Sequence, residues 1–482
     1  MQFRVILRIL GILLMLFSFA MLPSMGLALW YDDSSIMPFA VSFVVIFIIG
    51  VLVWLPSYGS QQEMRTREGF LVTALFWVVL GAAGALPLFL STAPALTFTD
   101  AFFESFSGLT TTGATVISGL DDLPRSILFY RQQLQWMGGM GIVVLAVAVL
   151  PMLGIGGMQL YRAEAPGPVK DNKLTPRIAE TAKALWYIYL GFTVLCALGY
   201  WAAGMTLFDA IGHSFSTVAI GGFSTKDASI GYYDSALIEG IAIVFMLLAA
   251  GNFSLHFVAF RNKSIMGYWR DPEYRFFLTI IVGLMVVMAV GLTFTNTETG
   301  WRAVRIGAFE ATSVMTTSGF AATGFSHWPL FLPFLLFLSS FIGGSAASTA
   351  GGMKAIRILL LWKQGVREIK RLIHPNGVFP VKVGRKELPE RVLAAVWGFF
   401  AVYMFAFTVL LTLLLATGLD FLTAWAVLGS AMNNLGPALG EAAANYSSVN
   451  VPAKWILCFA MLLGRLEIFT LIVIFSPMFW RR

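Results

Sequence analysis

The sequence predicts an all-α integral membrane protein. A unit of helix, re-entrant pore loop and helix recurs four times with pseudo-symmetry, after two extra N-terminal transmembrane helices. Three observations carry this. Hydrophobic residues are 58% of the 482 and charged residues 12%, about half the charge of a soluble domain. Apolar runs long enough for a span of about 20 residues recur along the whole chain. Between them one short pattern returns four times: FFESFSGLTTTG ending at Gly113, HSFSTVAIGG at Gly222, EATSVMTTSG at Gly319 and LGSAMNNLG at Gly436. A serine stands six residues before each glycine, at Ser107, Ser216, Ser313 and Ser430. A self-similar element at roughly domain-sized period, flanked by apolar runs, marks an internally repeated membrane protein.

In chain order, spans are expected at 5–29, 37–56, 69–91, 130–153, 185–204, 236–260, 275–295, 329–361, 392–416 and 454–479. The first, preceded by Arg4 and Arg8, also has the look of a signal peptide. Its length and the second span that follows at once favour a retained helix. Each repeated motif falls in a stretch too short and too polar for another span, suited to a half-helix followed by an extended segment around the glycine. The expected divisions are 1–68 for the two extra helices and four pore units at 69–156, 185–262, 275–361 and 391–482.

Lysine and arginine set the orientation. One side of the membrane takes Arg4, Arg8, Arg65 and Arg67, the basic runs within 162–183, 261–275 and 357–391, and Arg481 with Arg482. The other side takes only Arg125, Arg131, Lys226, Arg302, Arg305 and Lys454. Both termini are therefore expected in the cytoplasm, in a cell inner membrane, with the repeated loops dipping in from outside. The net charge of +7 is accounted for by topology and implies no nucleic acid. The basic segment 362–390 is either a docking surface or a lipid-facing loop.

Non-helical backbone at membrane depth persists only where protein buries it or water lines it. Four such loops around one axis can present carbonyls that replace the hydration shell of a monovalent cation. The candidate filter residues are Thr110, Thr111, Thr112 and Gly113; Ala219, Ile220, Gly221 and Gly222; Thr316, Thr317, Ser318 and Gly319; and Asn433, Asn434, Leu435 and Gly436. None is charged, whereas divalent-cation or anion filters favour rings of charged side chains. Half-helices ending at the path would add negative partial charge. The competing explanation is that small residues only allow close helix packing; four motifs in register favour a pore.

These motifs resemble the Trk/Ktr/HKT superfamily of potassium transporters, and most closely its bacterial TrkH-type membrane subunit. The resemblance rests on SGLTTTGAT (107–115), FSTVAIGGFST (215–225), MTTSGFAATGF (315–325) and AMNNLGPALG (431–440), with GGMGI (138–142), GGSAASTAGGMK (343–354) and GRLE (464–467) on the inner helices. It covers nearly the whole chain. It implies a channel-like potassium pore with K⁺ held at filter carbonyls and one filter glycine per repeat. All four glycines here match the potassium pattern rather than the sodium-favouring serine of plant relatives. The Thr-Val-Gly-Tyr-Gly loop of true potassium channels is absent from every repeat. The resemblance further implies a homodimer and a cytosolic TrkA-type regulatory subunit that binds nicotinamide and adenine nucleotides.

The eighth span is too long: 33 residues from Pro329 to Leu361 would make a helix of about 50 Å in a core of about 30 Å. Its middle, Gly343, Gly344, Ser345, Ala346, Ala347, Ser348, Thr349, Ala350, Gly351 and Gly352, followed by Lys354, is a poor helix. It is a candidate gate below the filter, which the resemblance favours, or a small-residue packing stripe. Arg465, isolated in apolar sequence with Glu467 nearby, either raises an electrostatic barrier below the filter or pairs structurally. Glu104, His213 and Glu310 share one repeat position, where the fourth copy has Val427. They either brace the filter through backbone N–H groups or bind ions. Cys196 and Cys458 read as buried small hydrophobes. The glycine runs at 138–141 and 154–157 follow no strand of a βαβ unit, so no nucleotide loop and no enzyme is expected. The alternative function is a sodium-permeable or ion-coupled cation carrier; the repeats run in the same direction, unlike the inverted repeats of many such carriers.

Overall fold

The computed structural model describes residues 3–58, 66–144, 178–384, 386–466 and 468–481. The C-terminal end of the fourth expected span, the glycine run 154–157, Arg65, most of the basic run within 162–183, Arg385, Glu467 and Arg482 lie outside the described residues. Among the described residues the regular structure is helix, apart from a two-stranded hairpin pairing Lys382 with Glu387 and Val383 with Lys386.

Among the described residues six helical stretches are long and apolar enough to cross a membrane: Phe3–Tyr31, Ile36–Ser57, Arg67–Leu90, Lys183–Ala202, Pro272–Phe294 and Glu390–Ala416. Two bent pairs bring the number to eight. The first expected span is two helices, Phe3–Ser18 and Met21–Tyr31. The sixth is not one helix but Ala236–Ala249 and Phe253–Arg261, bent by 94°. Asn252 causes the break: its side-chain oxygen caps the Ser254 N–H at 2.8 Å and starts a new helix inside the apolar run. The tenth is likewise split, into Val451–Arg465 and Ile468–Phe475. The eighth is broken as its length demands, into Leu332–Ser339 and Ala355–Ile373. The second piece runs on to Ile373, so the first part of segment 362–390 is helix rather than connector. Its Arg367 pairs with Glu390 at 2.5 Å and Glu368 at 3.1 Å, holding it against the helix that follows.

Four half-helices, Phe98–Leu109, Leu207–Ala219, Gly300–Met315 and Phe421–Asn433, each pack on the span before them. At 12 to 16 residues they are roughly 18–24 Å long, too short to cross. Thr97 and Thr206 cap the first two through the N–H groups of Asp100 and Asp209, at 3.2 and 3.1 Å, and Asp420 caps the fourth through Thr423 at 3.0 Å. Close approach to the outer helix depends on small residues: Ser105 donates to the Gly81 carbonyl at 2.9 Å, and Tyr130 to that of Gly84, also at 2.9 Å. The N-terminal helices are fastened to the first unit by Asp33, which accepts the Ser126 N–H at 3.2 Å and O–H at 3.0 Å. Gln133 adds a bond to the Ala20 carbonyl at 3.0 Å.

Candidate ion pathway

All four half-helices end in the same turn. The N–H one residue before each motif glycine reaches back to the carbonyl of the repeated serine: Thr112 to Ser107, Gly221 to Ser216 and Ser318 to Ser313 at 2.8 Å, Leu435 to Ser430 at 2.9 Å. This is the 6→1 closure of a Schellman turn, which requires a left-handed residue between. Thr111, Ile220, Thr317 and Asn434 supply it, with φ of 52°, 55°, 65° and 52°. Three are β-branched, for which this conformation is strained. The following Gly113, Gly222, Gly319 and Gly436 also have positive φ, 81°, 75°, 80° and 97°.

The glycines close a ring. A Cβ on Gly113 would strike the carbonyl oxygen of Gly221, one on Gly222 that of Ser318, and one on Gly319 that of Leu435. A Cβ on Gly436 would come within 2.7 Å of the Thr112 carbonyl oxygen. Each loop thus abuts the residue before the glycine in the next loop, and the fourth returns to the first. All four glycines line a vestibule of about 610 Å³. The side chains of Thr110, Thr316 and Asn433 turn back into the protein: Thr110 bonds Phe106 O at 2.8 Å, Thr316 bonds Thr312 O at 2.7 Å, and Asn433 lies 2.8 Å from the Tyr403 hydroxyl. Ala219 ends its half-helix, and Leu435 is fully buried. Asn434 Nδ2 crosses to Thr112 Oγ1 at 3.0 Å.

Buried groups brace these loops from behind. Glu104 accepts the Val116 N–H at 2.9 Å and pairs with buried Arg131 at 2.8 Å. His213 bridges the Asp209 carbonyl and the Ser224 hydroxyl, at 2.8 and 2.9 Å. Glu310 accepts the N–H groups of Ala322 and Thr323 at 2.7 and 3.0 Å. Where the fourth repeat has Val427, Tyr446 donates its hydroxyl to the Gly436 carbonyl and its N–H to the Thr115 carbonyl, both at 2.8 Å. Tyr446 carries no motif that sequence reasoning could have found.

Beneath the ring lies the 343–352 stretch, tied to elements of the second, third and fourth repeats. Ser345 N donates to Ala250 O at 2.9 Å, and Thr349 Oγ1 reaches the Val218 and Ala249 carbonyls at 3.1 and 3.2 Å. Gly351 N donates to Thr317 Oγ1 at 2.7 Å, and Gly352 N to Asn433 O at 3.1 Å. Ala346 N is held by Glu273 at 2.6 Å, Phe253 N donates to Ala347 O at 3.1 Å, and Ser348 Oγ folds back to Ser345 O at 2.6 Å. Gly344 O accepts the Ala355 N–H at 2.9 Å. A Cβ on Gly343 would strike the Gly351 carbonyl, so the two ends of the stretch touch. Lys354 is the N-cap of Ala355–Ile373, at the rim of the stretch, and bonds the Ala350 carbonyl. Arg465, 6% exposed, donates to Thr349 O at 3.1 Å and to Gly138 O at 3.4 Å. Between the stretch and Arg465 remains a cavity of about 70 Å³, lined also by Lys354, Tyr403 and Asn434.

The family model described as TrkH, a cation transport protein, matches residues 35–482. The chain is 58% identical over 482 residues to the Trk system potassium uptake protein TrkH of Halomonas elongata, with 100% of each chain covered. It is 44% identical over 479 residues to the Trk system potassium uptake protein TrkG of Escherichia coli, covering 99% of each. The crystal structure of the potassium transporter TrkH from Vibrio parahaemolyticus matches it with a TM-score of 0.93 and 55% identity, over 100% of both chains. With its repeated helices, re-entrant loops and broken spans, the chain belongs to the TrkH family of cation transport proteins.

Proposed function

We propose that this chain is the membrane subunit of a potassium uptake system, passing K⁺ through a channel-like pore along the axis of the four loops. Its filter is formed by 110–113, 219–222, 316–319 and 433–436, contributed by the pore units 69–156, 185–262, 275–361 and 391–482. The single observation that carries the reading is the closed cycle of glycine against carbonyl from Gly113 through Gly222 and Gly319 to Gly436. A ring of uncharged backbone at that depth suits a weakly hydrated monovalent cation. The names of the relatives, potassium uptake proteins of Trk systems, support the ion.

The stretch 343–352 with Lys354 and Arg465 is the gate. Its support is the set of hydrogen bonds that hold the stretch under the ring, to Thr317, Asn433 and Arg465, with a cavity of only about 70 Å³ left beside it. Regulation is assigned to a cytosolic TrkA-type subunit that binds nicotinamide or adenine nucleotides and docks on the basic face within 362–390. The protein is placed in the inner membrane with both termini in the cytoplasm, as a homodimer with one pore per protomer. The test is Rb⁺ uptake in a cell lacking its own potassium uptake. Growth on low potassium with Rb⁺ entry is expected; uptake that requires external Na⁺ would favour the ion-coupled carrier.

A further inference from the structure

The second filter loop differs from the others in its own chemistry. Loops one, three and four carry Thr-Thr-Thr, Thr-Thr-Ser and Asn-Asn-Leu before the glycine, whereas loop two carries Ala219-Ile220-Gly221 and has no polar side chain of its own. Two successive glycines also make it the loop with the most conformational freedom to lose. It is held from outside. Arg131, Gln132 and Gln135 lie on one face of the first inner helix, Arg125–Val144. Gln135 Nε2 donates to the Gly221 carbonyl at 2.6 Å, and its Oε1 accepts the Phe223 N–H at 3.0 Å. The amide thus brackets Gly222 on both sides. Gln132 Nε2 adds a bond to Phe223 O at 3.3 Å, and Arg131 one to Ser224 O at 3.3 Å.

The bracket sits at the level of the ring. The Gly221 carbonyl is the one abutting Gly113, and a Cβ on Gly113 would lie 3.7 Å from Gln135 Nε2. Gln135 is fully buried, so no water replaces either bond.

We propose that Gln135 is the positioning residue for selectivity in loop two: its amide fixes the Gly221 carbonyl so that the ring cannot contract around an ion smaller than K⁺. The inference rests on the reading of the four loops as a potassium filter. The residue does not touch the ion; it acts through one carbonyl.

The test uses the full-length chain in proteoliposomes, with Rb⁺ and Na⁺ fluxes measured side by side. Wild type must first favour Rb⁺; equal fluxes there would end the filter reading and this inference with it. Gln135→Leu removes both bonds. Gln135→Glu keeps the shape and the acceptor for Phe223 N–H but loses the donor to Gly221. In both, the Rb⁺/Na⁺ ratio is expected to fall about tenfold, the worth of one net hydrogen bond, through a rise in Na⁺ flux while Rb⁺ flux persists. A purely structural role would lower both fluxes together. Gly221→Ala probes the contact from the other side, since its Cβ would lie 2.5 Å from Gln135 Oε1; it should reproduce the loss. Unchanged ratios in monodisperse variants, or aggregation of both Gln135 variants, would overturn the assignment.

Discussion

Arg465 Nη1 donates to the Thr349 carbonyl at 3.1 Å, joining the last inner helix to the interrupted span of the third repeat. A second nitrogen of the same guanidinium reaches Gly138 O at 3.4 Å on the first inner helix. One side chain of the fourth repeat therefore bonds both of its neighbours, the stretch of the third and the inner helix of the first, and it lines the small cavity beside that stretch. Charge and tether are separable. Arg465→Ala removes both and should raise partner-free K⁺ flux several-fold with the K⁺/Na⁺ ratio unchanged. Arg465→Lys keeps the charge but cannot span two carbonyls with a planar fork. If the charge is the barrier, Lys keeps flux low; if the tether closes the gate, Lys resembles Ala. Flux equal to wild type in both would remove Arg465 from the gate.

The stretch itself should behave as a plug. Thr349→Val deletes the hydroxyl that donates to Val218 and Ala249 while leaving the backbone carbonyl that Arg465 uses. It should weaken closure by about 1 kcal/mol and raise basal flux less than Arg465→Ala does. Deleting Ser345–Ser348 removes the tethers to Ala250 and Glu273 and should raise it more. Because all three act on one constriction, combined changes should give less than the product of the single effects. A folded deletion protein with reduced flux would make 343–352 a packing element.

Glu104 and Arg131 form a buried pair, 0% and 1% exposed. Removing one member of such a pair leaves the other charge without its partner, at a cost of about 3–5 kcal/mol. Glu104→Gln should therefore lower thermal stability sharply, read by size-exclusion after heating in detergent. A shift no larger than that of a lipid-facing substitution would show that the pair contributes little.

Lys370 and Lys382 are exposed on the helix and hairpin that follow the 343–352 stretch, whereas Arg367 and Arg371 are engaged with Glu368 and Glu390. Neutralising Lys370, Lys382 and Lys386 should weaken binding of the nucleotide-binding subunit, the more so at low salt, and leave partner-free flux intact. Full binding by the triple variant would return this segment to a role in membrane orientation.

The repeat was legible because its chemistry is local. A chain that must turn at positive φ uses glycine, and four glycines with a serine six residues earlier expose the period. The break in the third inner helix was legible from its length. The bend at Asn252 was not, since one asparagine in an apolar run gives no sign that it will cap a helix rather than pack within one. The bracing of the loops by Glu104 and Glu310 through backbone N–H groups agrees with one of the two readings the sequence left open. Gln135 and Tyr446 were invisible. Each bonds across the boundary between repeats, a contact that periodicity along the chain does not reveal. The left-handed Thr111, Ile220 and Thr317 were equally hidden, because local propensity argues against that conformation and only the surrounding packing imposes it.

The central claim is that the ring of glycines is the selective constriction, and Gly113 tests it most directly. Its φ is 81°, and a side chain there would be driven into the Gly221 carbonyl. Gly113→Ser, reconstituted beside wild type, is read by Rb⁺ and Na⁺ flux under identical gradients. A folded protein whose Rb⁺/Na⁺ ratio falls toward unity is expected. A folded protein with the wild-type ratio would contradict it and place the selective site elsewhere.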